Sequence, residues 1–118
     1  MSYDIDLTDP VTGDVLHLDK PHMIRGGTYA IGGDTACSLN VTYNYAPHFY
    51  AVFGGKGIRF LYGKTGAETL PHLQEAAALL KDDKTSDYWE ATEGNAKAAI
   101  LKLAALAQLR PDGVWRGD

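Results

Sequence analysis

The stretch Ala36 to Tyr45, A-C-S-L-N-V-T-Y-N-Y, constrains the fold more than any other. Cys37, Leu39, Val41, Tyr43 and Tyr45 alternate without a break with Ser38, Asn40, Thr42 and Asn44. Successive side chains of a β-strand point to opposite faces, so one face of this strand suits a core. The other is a ladder of small hydrogen-bonding groups. The pattern predicts a strand at the centre of a sheet, with the polar ladder as the first place to look for a site.

The rest of the chain is consistent with that beginning. Tyr3, Ile5 and Leu7 alternate with Asp4, Asp6 and Thr8, and Val15 to Asp19 alternates again. Asp9 to Asp14 between them carries Pro10 and Gly13, the residues of a tight turn, so the two runs read as a hairpin. Pro21 is expected to end the second strand, and Thr28 to Ile31 reads as a third. Pro47 suits the first turn of a short helix that Gly54 and Gly55 stop. Gly57 to Leu61 fits neither period. Thr65 and Glu68 have the spacing of a capping box and predict a helix over 66–81, interrupted or kinked at Pro71. A second helix runs over 93–109 from a Thr92 cap, with Ala96, Ala99, Ile100, Leu103, Leu106 and Ala107 on its apolar face. Val114 and Trp115 follow as an edge strand. The expected fold is α+β over a single domain, residues 1–118. It has a four- or five-stranded mostly antiparallel sheet with the two longer helices packed on one face. Leu39, Val41, Tyr43, Leu73, Ile100 and Leu103 are the expected core.

Charge narrows the functional classes. The net charge of −4 argues against a general nucleic-acid binder. No acidic residue lies between Asp34 and Glu68, where Lys56, Arg59 and Lys64 occur. That segment is therefore +3, and the remaining eight of the 11 basic residues face all 15 acidic ones, for −7. A locally positive site on an acidic body suits a small anion or an acidic partner. No apolar run reaches the roughly 20 residues of a membrane-spanning helix. The opening M-S-Y-D-I-D-L has no secretory pattern. The one cysteine, Cys37, falls on the apolar side of its strand, as expected of a small buried hydrophobe in a reducing, cytosolic compartment.

Motifs for catalysis fail on spacing. Lys64-Thr65-Gly66 has no S-x-x-K to supply a nucleophile. Gly57 to Thr65 misses the phosphate-loop spacing by one residue. His17, His22, His48 and His72 show no metal-ligand pairing, and there is no second cysteine. Two clusters remain. One is Asn40, Thr42, Asn44 and His48, continuing to Arg59. The other is Tyr88 to Asn95, Y-W-E-A-T-E-G-N, where aromatic residues precede a helix N-terminus whose free N–H groups favour an anion. Thr42, Asn44, His48, Arg59, Trp89 and Asn95 are the expected ligand-binding residues, with no cofactor and no metal.

Four stretches taken together, N-V-T-Y-N-Y-A-P (40–47), G-I-R with Y-G (57–63), Y-W-E-A-T-E-G-N-A (88–96) and L-R-P-D-G-V-W (109–115), resemble a family of small uncharacterised phage and prophage proteins. The likeness spans nearly the whole chain and implies expression in a bacterial host cytoplasm, in a setting where small accessory proteins often bind rather than catalyse. The expected function is a non-catalytic binding protein that sequesters an anionic nucleotide-like signalling molecule, with counter-defence as a role it could serve. Two alternatives stand beside it. One is an anti-CRISPR-like inhibitor that binds a host defence protein through its acidic surface. The other is a small hydrolase or lyase that uses His48 with a carboxylate on a phosphorylated small molecule. Homo-oligomerisation is left open.

Overall fold

The computed structural model describes residues 2–22, 34–87 and 89–118. The strand expected at 28–31 and the ring of Tyr88 lie outside them. The fold is α+β. Strand β1 (Ser2–Thr8) carries Tyr3, Ile5 and Leu7 inward, as its alternation requires. It pairs antiparallel with β4 (Ser38–Thr42), Ile5 opposite Leu39, and on its other side with β5 (Val114–Gly117), Ile5 opposite Gly117. The order is therefore β4-β1-β5, and β1 is central. The strand of the polar ladder is not the middle of this sheet, because the C-terminal strand returns to the far side of β1. Residues 63–64 cover the outer side of β5, where Trp115 N–H donates to Lys64 O at 2.9 Å and Gly63 N–H to Trp115 O at 2.9 Å.

The expected hairpin forms at its tight end. Asp9 Oδ1 accepts from the N–H groups of Val11 and Thr12, and Thr8 faces Val15. Beyond it the chain separates into β2 (His17–His22), which runs past Pro21, and β3 (Asp34–Ala36), an antiparallel two-stranded ribbon. The branch point is a closed ring of three backbone hydrogen bonds. Leu7 N–H donates to Cys37 O (2.9 Å), Cys37 N–H to Leu16 O (2.8 Å), and Leu16 N–H to Leu7 O (2.9 Å). The strands thus divide into a sheet of three and a ribbon of two. Cys37 sits fully buried at the junction, and burial pushes its thiol pKa up, so it acts as a packing residue.

Helix α1 (Ala46–Phe53) starts with Pro47 in its first turn and ends at Gly54, whose φ of 91° is a backbone state open to glycine. Residues 57–61 form a 3-10 helix that buries Ile58 and Leu61. Helix α2 (Gly66–Ala78) begins with the reciprocal capping box: Thr65 Oγ1 accepts from Glu68 N–H, and Glu68 Oε1 accepts from Thr65 N–H. It continues through Pro71 without interruption and stops three residues short of the expected end. Helix α3 (Glu93–Leu109) has the expected bounds and cap. The two long helices pack against each other and, with the apolar face of the sheet, form one cluster containing Ile5, Leu39, Val41, Leu73, Ile100, Leu103 and Trp115. Each such side chain contributes about 1.5–3 kcal/mol of burial. Tyr43, expected in the core, is only half-buried and packs on its margin. Among the described residues no helix is long and apolar enough to cross a membrane.

Candidate functional site

The polar ladder of β4 is tied sideways to β1. Ser38 Oγ donates to Asp6 Oδ1 at 2.5 Å, and Asn40 Nδ2 donates to Ser2 Oγ and Asp4 Oδ1, both at 2.6 Å. Asp4 and Asp6 are therefore acceptors for their cross-strand neighbours. At Thr42 the strand stops, because its hydroxyl accepts the N–H of Asn44 (3.2 Å) and caps a 3-10 turn over Tyr43–Tyr45. Thr42 is 1% exposed. The alternation expected to run through Tyr45 thus gives way to helical geometry at Tyr43, and Thr42 shapes this corner from inside rather than offering a group at the surface.

Beyond that turn, two expected site residues reach the second expected cluster. Asn44 Nδ2 donates to the carbonyl of Trp89 (2.9 Å), and His48 Nε2 donates to the carbonyl of Ala91 (2.8 Å). A carbonyl only accepts, so His48 carries its proton on Nε2. The strand end and the aromatic loop, distant in sequence, are neighbours in the fold. Trp89 stays 48% exposed.

Asn95 holds the loop from beneath. Only 4% exposed, it accepts from Thr85 N–H at 2.9 Å through Oδ1. Its Nδ2 donates to Asp87 O (2.9 Å), Glu90 O (2.8 Å) and Thr85 Oγ1 (3.1 Å). The amide is spent on the main chain and one hydroxyl of the loop, so Asn95 orders the loop.

The N-terminus of α3 was expected to attract a ligand anion. The chain fills that place itself: Asp83 Oδ1 accepts from Gly94 N–H (2.9 Å), and Thr92 Oγ1 accepts from Asn95 N–H (3.0 Å). An internal carboxylate thus meets the positive end of the helix.

Arg59, on the 3-10 helix, lies over the rings of Tyr3 (5.0 Å to the centroid) and Tyr43 (5.9 Å), which themselves meet edge to face at 4.6 Å. Its Nε donates to the main-chain oxygen of Asp118 at 2.8 Å. Among the described residues the two terminal nitrogens of the guanidinium make no hydrogen bond. The group is oriented by stacking and by one hydrogen bond, and the residue is exposed. Burial raises the Tyr3 phenol pKa, and the Arg59 charge partly offsets it. The nearby Tyr62 phenol is pushed up to about 12, by burial first and then by the charge of Asp118. Of the other two cations in the segment, Lys64 bonds the carbonyl of Phe60 at 2.7 Å, and Lys56 is exposed.

Arg59, Tyr43, Asn44 and Trp89 are therefore linked in series by ring contact, chain adjacency and hydrogen bond. Sequence reasoning missed a cleft between α1, the 3-10 helix and α2, lined in part by Phe53, Phe60 and His72. Those residues belong to three successive elements, and no local period brings them to one face. Among the described residues there is no group of three or more His, Cys, Asp or Glu able to hold a metal. No family model, curated protein or solved structure matches the chain, so its functional reading rests on this geometry.

Proposed function

We propose that the protein is a non-catalytic binding protein for an anionic nucleotide-like ligand, held at the surface that runs from Arg59 through Tyr43 and Asn44 to Trp89. The observation that carries the reading is the Asn44–Trp89 hydrogen bond, which ties the backbone of Trp89, whose side chain is exposed, to the arginine and tyrosine corner. The division of labour follows from chemistry. A guanidinium whose two NH₂ groups make no hydrogen bond among the described residues suits two phosphate oxygens, and charge-assisted pairs of this kind are the strong ones. An exposed indole gives a base a stacking face, worth about 1–3 kcal/mol per base. His48, Thr42 and Asn95 hold the frame, and Asn44 fixes the loop through its amide. The resemblance to phage and prophage proteins makes a host defence signal, met in the host cytoplasm, the natural ligand for such a sponge. His48 Nε2 is taken up in holding Ala91, which favours binding over the hydrolase or lyase reading.

The test is ligand retention. Purified protein is incubated with nucleotide second messengers, washed and heat-denatured, and the released ligand is identified by chromatography. Retention of an intact nucleotide, with a raised melting temperature, is expected. Arg59→Ala and Trp89→Ala should each weaken it about tenfold or more. Loss of neither binding nor biological activity in Arg59→Ala would reject this surface. The second reading is an inhibitor that docks a host protein on acidic groups, and it draws on the exposed Asp82, Asp87 and Glu90 of the loop before α3. It would then take precedence.

A further inference from the structure

The cleft between α1, the 3-10 helix and α2 opens at the C-terminal turn of α1 and the outward face of α2. Its volume is about 180 Å³, and its walls include Val52, Phe53, Phe60, His72, Glu75 and Leu79. An aromatic run reaches it from the core. Buried Phe49 lies 6.3 Å from Phe53, Phe53 stacks on Phe60 at 5.0 Å and 29°, and His72 stands edge-on to Phe60 at 5.8 Å. We propose that this cleft binds a single aromatic ring carrying a basic nitrogen, of the aryl amidine or arylalkylamine class.

Size, wall chemistry and charge each narrow the ligand. Pockets for drug-sized molecules measure roughly 300–1,000 Å³, whereas an apolar cavity of about 150 Å³ holds one benzene. A cleft of about 180 Å³ therefore takes one ring. Phenyl faces are electron-rich and attract cations. The chain shows this on the same side chain: Lys64 Nζ stands 5.2 Å from the Phe60 centroid, although Lys64 is not part of the cleft wall. Glu75 is the carboxylate among the lining residues, and no Lys or Arg lines the cleft. An anionic ring would meet the Glu75 carboxylate with no Lys or Arg in the wall to offset it, Lys64 being held on the carbonyl of Phe60, while a cationic ring would pair with Glu75. Leu79, 66% exposed at the end of α2, supplies an apolar lip that a bound ring would cover. The ligand preference is opposite in sign to that of the Arg59 surface, so the inference stands independently of the function proposed above.

The experiment is an amide NMR titration of the intact protein with three probes of one ring each: benzamidine, benzyl alcohol and benzoate. Benzamidine should give saturable shifts confined to residues around 52–53, 60 and 72–79, and benzoate none. Glu75→Gln, at an exposed position and with its fold checked by the same spectrum, should weaken benzamidine about threefold, the size expected of an exposed ion pair. Leu79→Asn should weaken benzamidine and benzyl alcohol alike. No saturable shift at the cleft with benzamidine, benzoate binding as tightly as benzamidine, or unchanged benzamidine affinity in Glu75→Gln would each overturn the assignment.

Discussion

The indole nitrogen of Trp115 donates to the hydroxyl of Thr69 across 2.7 Å, and both residues are fully buried. Thr69 in turn donates to Thr65 O (2.9 Å), so a relay joins β5 to the first turns of α2. Trp115 is the largest fully buried side chain, and its one polar atom is satisfied only by this partner. Thr69→Val keeps the shape and orphans the indole N–H, which should cost about 1–3 kcal/mol, while Thr69→Ser should cost less. Urea unfolding of both variants checks this. Equal costs would show that the hydroxyl contributes nothing beyond packing.

Asn95 should behave as the fastener of the loop before α3. Asn95→Ala leaves Thr85 N–H without its acceptor and takes one of two or more donors from each of the carbonyls of Asp87 and Glu90, for an expected loss of about 2 kcal/mol. Hydrogen exchange should localise the effect, with amides of residues 85–90 losing protection while those of β1 and β4 keep theirs. A uniform loss across the molecule would contradict that role. Asn95→Asp should also destabilise, because it retains the acceptor and loses both donors.

At Gly94 the usual helix rule should reverse. Glycine to alanine inside a helix ordinarily stabilises by about 1 kcal/mol. Here an added Cβ would stand 2.3 Å from Lys84 N and 2.5 Å from Asp83 C, both main-chain atoms that cannot rotate away. Gly94→Ala should therefore lower stability by about 2 kcal/mol or more, and it should loosen the Asp83 cap. A thermal melt at or above the wild-type temperature would count against the close packing of 83–84 on α3.

Tyr62 gives a pH signature. Its phenol, raised to about 12 by burial, stays protonated in the folded state after an unfolded tyrosine, near 10, has begun to ionise. Above that value the folded state holds more protons than the unfolded one, so stability falls as pH rises from about 10 through about 12. Its hydroxyl also has no hydrogen-bond partner among the described residues. Tyr62→Phe should then be neutral or stabilising at pH 7 and should flatten the alkaline decline. Melting temperatures measured across that window decide both points.

Much of the fold was legible because it is written in short-range chemistry. The alternation of residues 3–7 and 37–41 fixes which side chains face the core. Thr65 with Glu68, and Thr92, mark the starts of α2 and α3 by placing a side-chain oxygen where a helix leaves N–H groups unpaired. Pro47 and Gly54 bound α1 for equally local reasons. The sheet order was not legible. That β5 docks beside β1, and that Leu16 and Cys37 close a hydrogen-bonded ring with Leu7, depends on strand pairing between residues up to about a hundred positions apart, which no local period encodes. The end of β4 was misread for a related reason: the polar residues 42 and 44 fit strand alternation and a capped turn equally well, and the burial of Tyr45 and Phe49 selects the turn. The expected site residues divide along the same line. Arg59 and Trp89 were singled out by charge and residue type, and the structure leaves both exposed. Only the tertiary structure decided that Asn44 and His48 meet the Trp89–Ala91 loop, that Asp83 already occupies the helix N-terminus, and that Asn95 is buried beneath the loop, because these contacts are made between segments that the chain brings together only on folding.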